Sequence, residues 1–193
     1  MTRLACVMVL WLCYTNAVAQ SINADGTVAG PGVAMGPPSS SGKFVYIEQI
    51  GNGNTVYVKQ AGDGEQKALI VNHGDNNELT ILQHDSGTHT ASMGTEPTAA
   101  HSVNSNNNLV ILQQGAGNHM ASVVLSDPVA NSNNTASISQ SGGVGADKQF
   151  TLQLSGSGIS ATVVQDNPIV ADSASMSIQC LSPPCTGYSY VKH

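Results

Sequence analysis

The chain contains few charged and few aromatic side chains, and this excludes several classes of protein. Charged residues make up 9% and aromatic residues 4% of its 193 positions. Arg3 is the only arginine, and five lysines stand against twelve acidic side chains. Because nucleic-acid recognition depends on clustered lysine and arginine, neither a nucleic acid nor an anionic lipid surface is an expected partner.

A long hydrophobic run is also missing, since a membrane-spanning helix needs about 20 apolar residues. The most apolar stretch covers residues 4–12, follows Arg3 and precedes the small-x-small sequence Ala17-Val18-Ala19. This layout predicts a secretory signal peptide over residues 1–19. The mature protein is therefore expected to be exported and to lack a transmembrane segment.

Cysteine is scarce once the signal peptide is removed, because Cys6 and Cys13 leave with it. The remaining pair, Cys180 and Cys185, is expected to form a disulfide in an oxidising compartment. Such a short loop restricts few residues, so the bond would fix a terminal turn. The alternative is a metal or redox pair, for which the sequence offers no third ligand at a suitable spacing.

What the chain does contain is Gly, Ser, Asn and Gln, arranged in two different ways. Residues 20–43 show no apolar periodicity and include Pro31, Pro37 and Pro38, which predicts a disordered, flexible leader. From residue 44 onwards, Val, Ile and Leu alternate with polar residues at period two. This alternation is typical of β-strands, and helix is not expected.

The alternating segments recur at a regular spacing. Strands of about six residues joined by turns of about five predict a solenoid of about eleven strands, or about five two-stranded coils of roughly 22 residues. Aliphatic side chains would fill a thin core between two sheets. Gln and Asn at the corners would stack on their counterparts in neighbouring coils, and glycine would permit tight turns.

The repeating unit Gln-x-Gly-x-x-Asn-x-(small or apolar)-x-x-x-Gln resembles the curlin repeat of bacterial curli fibres. Gln49, Gly51, Asn54, Val56 and Gln60 match its spacing in full. The resemblance covers residues 44–179. The partial matches and strand ends supply the other candidate ladder and turn residues: Gly62, Asn77, Gln83, Gln113, Gly115, Asn118, Gln140, Gly142 and Gln165.

The resemblance implies a fold, a function and a location. Curlin-like proteins are exported, cross the outer membrane through a dedicated pore, and polymerise on the bacterial cell surface into amyloid fibres for adhesion and biofilm matrix. The expected partners are further copies of this chain, other curlin-like subunits and the secretion pore. Residues 20–43 look like the family's secretion-targeting segment, whereas the tail, residues 180–193, has no counterpart in the repeat.

Several departures leave the rank of the subunit open, as a major fibre subunit, a nucleating subunit or an accessory adhesin. Residues 94–107 and 126–133 are irregular insertions, and the strand register around Gln153 and Gln179 is ambiguous. Nothing that resembles a cap precedes Lys43, which leaves the first coil available as a template for pairing. At the other end, the tail is a candidate cap for the last coil.

No catalytic, cofactor or metal site is expected, so the protein is not predicted to be an enzyme. The acidic residues Asp63, Glu65, Asp75 and Asp85 fall in turns, where such side chains cap their own backbone. A monomeric adhesin on a capped solenoid remains an alternative, and an enzyme on a β-helix would need a carboxylate cluster along one face. Surface positions are expected for the histidines, which are His73, His84, His89, His101, His119 and His193.

Overall fold

A computed structural model describes residues 28–29, 34–35, 42–95, 104–126 and 131–193. The predicted signal peptide and most of the predicted leader lie outside these ranges. The described residues form strands and turns, and they include no helix that could cross a bilayer. The strands are β1 Val28–Ala29, β2 Ala34–Met35, β3 Lys43–Ile50, β4 Thr55–Gln60, β5 Gln66–His73, β6 Glu78–Gln83, β7 His89–Thr95, β8 Asn108–Gly115, β9 His119–Leu125, β10 Thr135–Gly142, β11 Lys148–Gly156, β12 Ile159–Gln165, β13 Asp172–Cys180 and β14 Cys185–Lys192.

Successive strands alternate between two sheets, so each coil contributes one strand to each sheet. Sheet A has the order β1-β4-β6-β8-β10-β12-β14, and sheet B has the order β13-β11-β9-β7-β5-β3-β2. All pairings among β3 to β14 are parallel. The predicted all-β solenoid of about five coils is confirmed: five strand pairs run from β3–β4 to β11–β12, and β13–β14 extend the stack.

The core lies between the two sheets and follows from strand geometry, because successive side chains point to opposite faces. In β6, Leu79 and Ile81 are fully buried, whereas the intervening Thr80 is half-buried. Leu109 and Ile111 of β8 are paired with Leu79 and Ile81 and are equally buried. Burying a Leu or Ile side chain stabilises the fold by about 1.5–3 kcal/mol, so these stacked columns hold the sheets together.

The register that the sequence left ambiguous is decided by the apolar side chains. In β11, Phe150, Leu152 and Leu154 are fully buried, whereas Gln153 faces outward and donates to Ser126 Oγ at 2.7 Å. In β13, Ile178 is buried and Gln179 is exposed. The chain adopts the register that removes more apolar surface from water.

Coil length varies along the stack. Gln60 and Gln83 are 23 residues apart, Gln83 and Gln113 are 30 apart, and Gln113 and Gln140 are 27 apart. The predicted coil of roughly 22 residues is close to the first of these spacings and shorter than the other two. The extra residues fall in the predicted insertions 94–107 and 126–133, parts of which lie outside the described residues.

The two ends of the stack differ from the sequence-based expectation. β1 pairs antiparallel with β4, and β2 pairs antiparallel with β3, through two residue pairs each. The prediction of an uncovered first coil is therefore wrong. At the other end, the predicted tail forms β14, which pairs in parallel with β12 and continues sheet A.

Candidate functional site

A continuous ladder of glutamine amides runs along the end of the sheet A strands. The Nε2 group of each of the first four glutamines donates to Oε1 of the glutamine in the next coil, at 2.8–2.9 Å. All five glutamines are buried between the sheets, with at most 1% of the residue surface exposed. The ladder consists of Gln60, Gln83, Gln113, Gln140 and Gln165.

The second N–H of each ladder amide links the two sheets. Gln60 donates to the carbonyl of Phe44 at 3.0 Å, Gln83 to that of Lys67 at 3.0 Å, and Gln140 to that of Met120 at 2.9 Å. An unsatisfied buried amide would cost about 1–3 kcal/mol. Because both N–H groups of each ladder amide are satisfied, the glutamines can lie in the core and also fix the register in which neighbouring coils stack.

A second ladder, formed by asparagines, precedes the sheet A strands. Asn54 Oδ1 accepts from the backbone N–H of Asn77 at 2.9 Å and from its Nδ2 at 3.1 Å. Asn107 repeats this contact with Asn77, and its own Oδ1 accepts from the backbone N–H of Asn134 at 3.1 Å. The ladder therefore joins the turns before β4, β6, β8 and β10 and fixes where these four strands begin.

The turn residue just before each ladder asparagine adopts a left-handed backbone conformation. The φ angles are 68° at Gly53, 55° at Asn76, 58° at Asn106 and 55° at Asn133. Only Gly, Asn and Asp visit this region routinely, which explains the residue types at these positions. The turns before β4, β6, β8 and β10 thus share one geometry.

Asn107 and Asn134 were not predicted to belong to a ladder, because the residues around them read as insertions in the sequence. A signal was present, since each ladder asparagine lies six positions before a ladder glutamine. The four pairs are Asn54 and Gln60, Asn77 and Gln83, Asn107 and Gln113, and Asn134 and Gln140.

Two of the predicted corner residues belong to sheet B or to its turns. Gln49 lies in β3 of sheet B, where it is paired with Asn72. Asn118 is exposed in the turn before β9, where its backbone N–H donates to Asp147 Oδ1 at 2.8 Å. The eleven-residue half-repeat read from the sequence therefore does not match the spatial repeat, because sheets A and B use different residues at their corners.

The four predicted glycines lie in turns or at strand ends, and the turns require them. At Gly51 and Gly62, φ is 123° and 102°, and a Cβ atom would come within 2.0 Å and 2.2 Å of a carbonyl oxygen in the neighbouring coil. Gly115 has a φ of 102° and is paired with Gly142. Stacked turns of this kind approach too closely to admit a side chain.

A column of polar and charged residues opens the sheet B strands. Gln66, His89, His119 and Lys148 are paired in that order through consecutive coils. Their exposed fractions are 0%, 0%, 2% and 1%. The rings of His89 and His119 stack with centroids 5.1 Å apart and planes 11° apart. The expectation of surface positions is therefore wrong for His89 and His119.

Burial keeps both stacked histidines neutral. It lowers the pKa of His89 from 6.5 to about 4, and nearby His119 acts in the same direction against the Gly115 carbonyl and Asp85. Burial likewise lowers the pKa of His119, opposed by the Gln114 carbonyl. The Nε2 atoms lie 3.2 Å and 2.9 Å from the carbonyls of Gly115 and Gln114, which assigns the ring proton to Nε2 as donor.

Two of the four predicted turn carboxylates, Asp75 and Asp85, connect coils, whereas the sequence predicted that they would cap their own turns. Asp75 accepts from the backbone N–H of Asn52 at 2.7 Å, and Asp85 accepts from that of Gly115 at 2.9 Å. These partners lie 23 and 30 residues away.

On the outer face of sheet B, Tyr46 and His73 form hydrogen bonds with Glu48. These hydrogen bonds lower the pKa of Glu48, and the bond from Tyr46 has the larger effect.

An open groove of about 430 Å³ runs beside the polar column, next to His119, Lys148 and Asp172. Within the described ranges, no three His, Cys, Asp or Glu side chains come together to hold a metal ion. Lys148 Nζ donates to the carbonyl of Val170. This contact joins β11 to the turn before β13.

The C-terminal coil combines a disulfide with a charged end. Cys180 and Cys185 form the disulfide, which links the end of β13 to the start of β14. The carboxylate of Asp172 accepts from Gln165 Nε2 at 2.7 Å and from the Tyr190 hydroxyl at 3.0 Å. The glutamine ladder therefore ends on a carboxylate.

Comparison with known proteins identifies no relative: no family model, no curated protein and no solved structure matches the chain.

Proposed function

We propose that this protein is a structural subunit of extracellular, curli-like amyloid fibres that assemble end to end on the bacterial cell surface. The fibres mediate cell adhesion and form part of the biofilm matrix. This role is non-enzymatic and needs no cofactor. The proposal rests on the resemblance of residues 44–179 to curlin repeats and on the stacked architecture. In-register amide ladders and parallel strands perpendicular to the stacking axis are the elements of amyloid-like assemblies.

The observation that carries the proposal is the open edge at the C-terminal end of the stack. β13 and β14 are the last strands of their sheets, and no described strand pairs with their outer edges. A free parallel edge is a template for a further strand. A contact between the opposite ends of two copies does not close, so its repetition builds a filament.

The route to the surface follows from the predicted signal peptide and from the family resemblance. Export would proceed through cleavage after residue 19 and passage through an outer-membrane pore, with residues 20–43 as the targeting segment. The protein would then polymerise with further copies of itself and with other curlin-like subunits.

The direct test is assembly of the purified chain without residues 1–19, diluted from denaturant and followed with an amyloid dye and electron microscopy. We expect a lag phase, unbranched fibres, and seeding of fresh monomer by those fibres. Two variants test whether the solenoid itself forms the fibre. Ile138→Lys places a charge in the core and should abolish fibres, whereas Ser139→Lys, on the outer face, should retain them.

A second candidate is a nucleating or accessory protein, or a non-polymerising adhesin. It is favoured by β1 and β2, which cover the first coil. Fibres that appear only beside another curlin-like chain would identify a nucleator or minor subunit. A stable, β-rich monomer without fibres after several days would contradict the fibre subunit and favour the adhesin.

A further inference from the structure

The C-terminal coil presents inward-facing side chains that no further strand of the described residues covers. Tyr188 and Tyr190 are paired with Ala161 and Val163 of β12. Ala161 and Val163 are buried, whereas Tyr188 is 39% exposed and Tyr190 is half-buried. A further coil stacked on β14 would bury both rings.

The N-terminal coil is covered by a much smaller element. β1 and β2 contribute two residue pairs each, and both run antiparallel to the strands that they cover. Within the stack, by contrast, β3 pairs with β5 through eight residues and β4 with β6 through six. A complete parallel coil would therefore form more ladder hydrogen bonds on the outer edges of β3 and β4 than β1 and β2 do.

The charges at the two ends complement each other along the two inward columns. In sheet B the polar column starts at Lys43, which is paired with Gln66, and ends at Asp172, which is paired with Lys148. In sheet A, Gln165 of β12 is paired with Lys192 of β14, the last strand. The glutamine ladder in sheet A starts at Gln60, so an ammonium ends the column that an amide begins.

We propose that the β13–β14 coil of one copy docks in register on β3–β4 of a second copy, in the place held by β1 and β2, with Asp172 facing the second copy's Lys43 and Lys192 facing its Gln60. This inference rests on the proposed fibre function and names its contact. Parallel, in-register docking keeps every inward position facing inward. It also continues both inward columns. In sheet B the Asp172 carboxylate meets the Lys43 ammonium, and in sheet A the Lys192 ammonium meets the amide oxygen of Gln60.

The test uses the chain without residues 1–19 and exchanges the two charges, singly and together. Lys43→Asp and Asp172→Lys should each elongate their own seeds about tenfold more slowly than wild type at low salt, because every end-to-end contact then brings like charges together. The double variant should recover the wild-type rate. An equal mixture of the two single variants should also elongate, because alternating copies place unlike charges at every contact.

Lys59→Asp is the matched control, since it makes the same charge change on the outward face of the first coil. It should elongate like the wild type. If circular dichroism shows that Asp172→Lys does not fold, Asp172→Asn replaces it, because the amide keeps an acceptor for Gln165. Seeds of Lys43→Asp should then elongate faster with Asp172→Asn monomer than with wild-type monomer.

The outcomes separate this inference from the function beneath it. If the wild type forms fibres and every charge variant elongates at the wild-type rate, the docking register is wrong and the fibre function stands. A wild-type chain that forms no fibres would overturn both. Recovery in the double variant and in the mixture, with slow single variants, would establish the contact.

Discussion

At the scale of single residues, the feature that separates this protein from an ordinary globular domain is its column of buried amides. Gln83, Gln113 and Gln140 are fully buried, and each donates one N–H to the next coil and one to the opposite sheet. A buried amide is tolerated only when its hydrogen bonds are made. Each glutamine therefore depends on the glutamines in the coils above and below it, and this dependence specifies the register of the stack.

Removal of one amide from the middle of the ladder should be costly. Gln113→Leu would leave the Gln83 amide without its acceptor and Gln140 Oε1 without its donor. We expect a loss of about 3 kcal/mol in the free energy of unfolding, measured by urea denaturation. Gln114→Leu, at the exposed neighbouring position, is the control and should change stability by about 0.5 kcal/mol or less. Equal effects in the two variants would argue against the ladder.

The stacked histidines should make stability depend on pH. His89 has a folded-state pKa of about 4, whereas an unfolded chain titrates near its ordinary value of about 6.5. Between these values the unfolded chain binds more protons, so stability falls as the pH falls. The groups that face the pair are Asp85, Asp147 and Lys148.

Urea denaturation at pH 7 and at pH 5 measures this effect. We expect His89 alone to remove about 2 kcal/mol of stability over that interval, and His119 to act in the same direction. His89→Gln, which introduces the residue type found at Gln66 in the same column, should reduce the loss. The explanation fails if the wild-type chain and His89→Gln lose the same amount.

At the scale of elements, the turns determine how closely the coils approach. Gly115 combines a φ of 102° with a neighbouring carbonyl, that of Gly142, so close that a Cβ atom would come within 2.2 Å of its oxygen. Gly145 has a similar φ of 79°, but nothing lies within 4 Å of its Cβ position. A comparison of Gly115 with Gly145 therefore separates the effect of backbone strain from the effect of steric contact between coils.

Gly115→Ala should therefore destabilise the solenoid more than Gly145→Ala. Left-handed strain alone costs an L-residue about 1–2 kcal/mol, and this is the effect expected at Gly145. At Gly115 the displacement of the Gly142 turn adds about 1–3 kcal/mol of overpacking. Thermal unfolding of the two variants measures the difference, and equal melting temperatures would contradict close contact between these turns.

At the scale of the whole molecule, stability is carried by contacts between neighbouring coils, as in other repeat architectures. β8 and β10 have a partner on both sides, whereas β14 is paired only with β12 within the described part of the chain. Terminal coils are therefore expected to open more easily than central ones.

Hydrogen exchange should reveal this gradient and its change on assembly. In the monomer, the β14 amides that face away from β12 should exchange fast, while those of β8 and β10 remain protected. In fibres the β14 amides should become protected as well, because a second copy covers them. Fast exchange of β14 in both forms would exclude this strand from the contact between copies.

Much of the fold was predictable because its signals are local. The period-two alternation of Val56 and Val58 with polar neighbours indicated which face is buried, and both side chains are fully buried. Glutamines at strand ends indicated corners, and Gln60, Gln83 and Gln113 do stack. By contrast, the surface assignment of His89 failed, because an isolated histidine in a polar sequence carries no sign of the coil that covers it.

The class of fold, the inward face of most strands and the glutamine column could be read from the amino acids alone, since they follow from side-chain alternation and residue type within one strand. The three-dimensional arrangement was needed to establish which coils are longer, that β1 and β2 cover the first coil, and that β14 extends the last one. The physical reason is that pairing across 23 to 30 residues depends on the summed contacts of a whole coil. The length of the connecting turns contributes little to that sum.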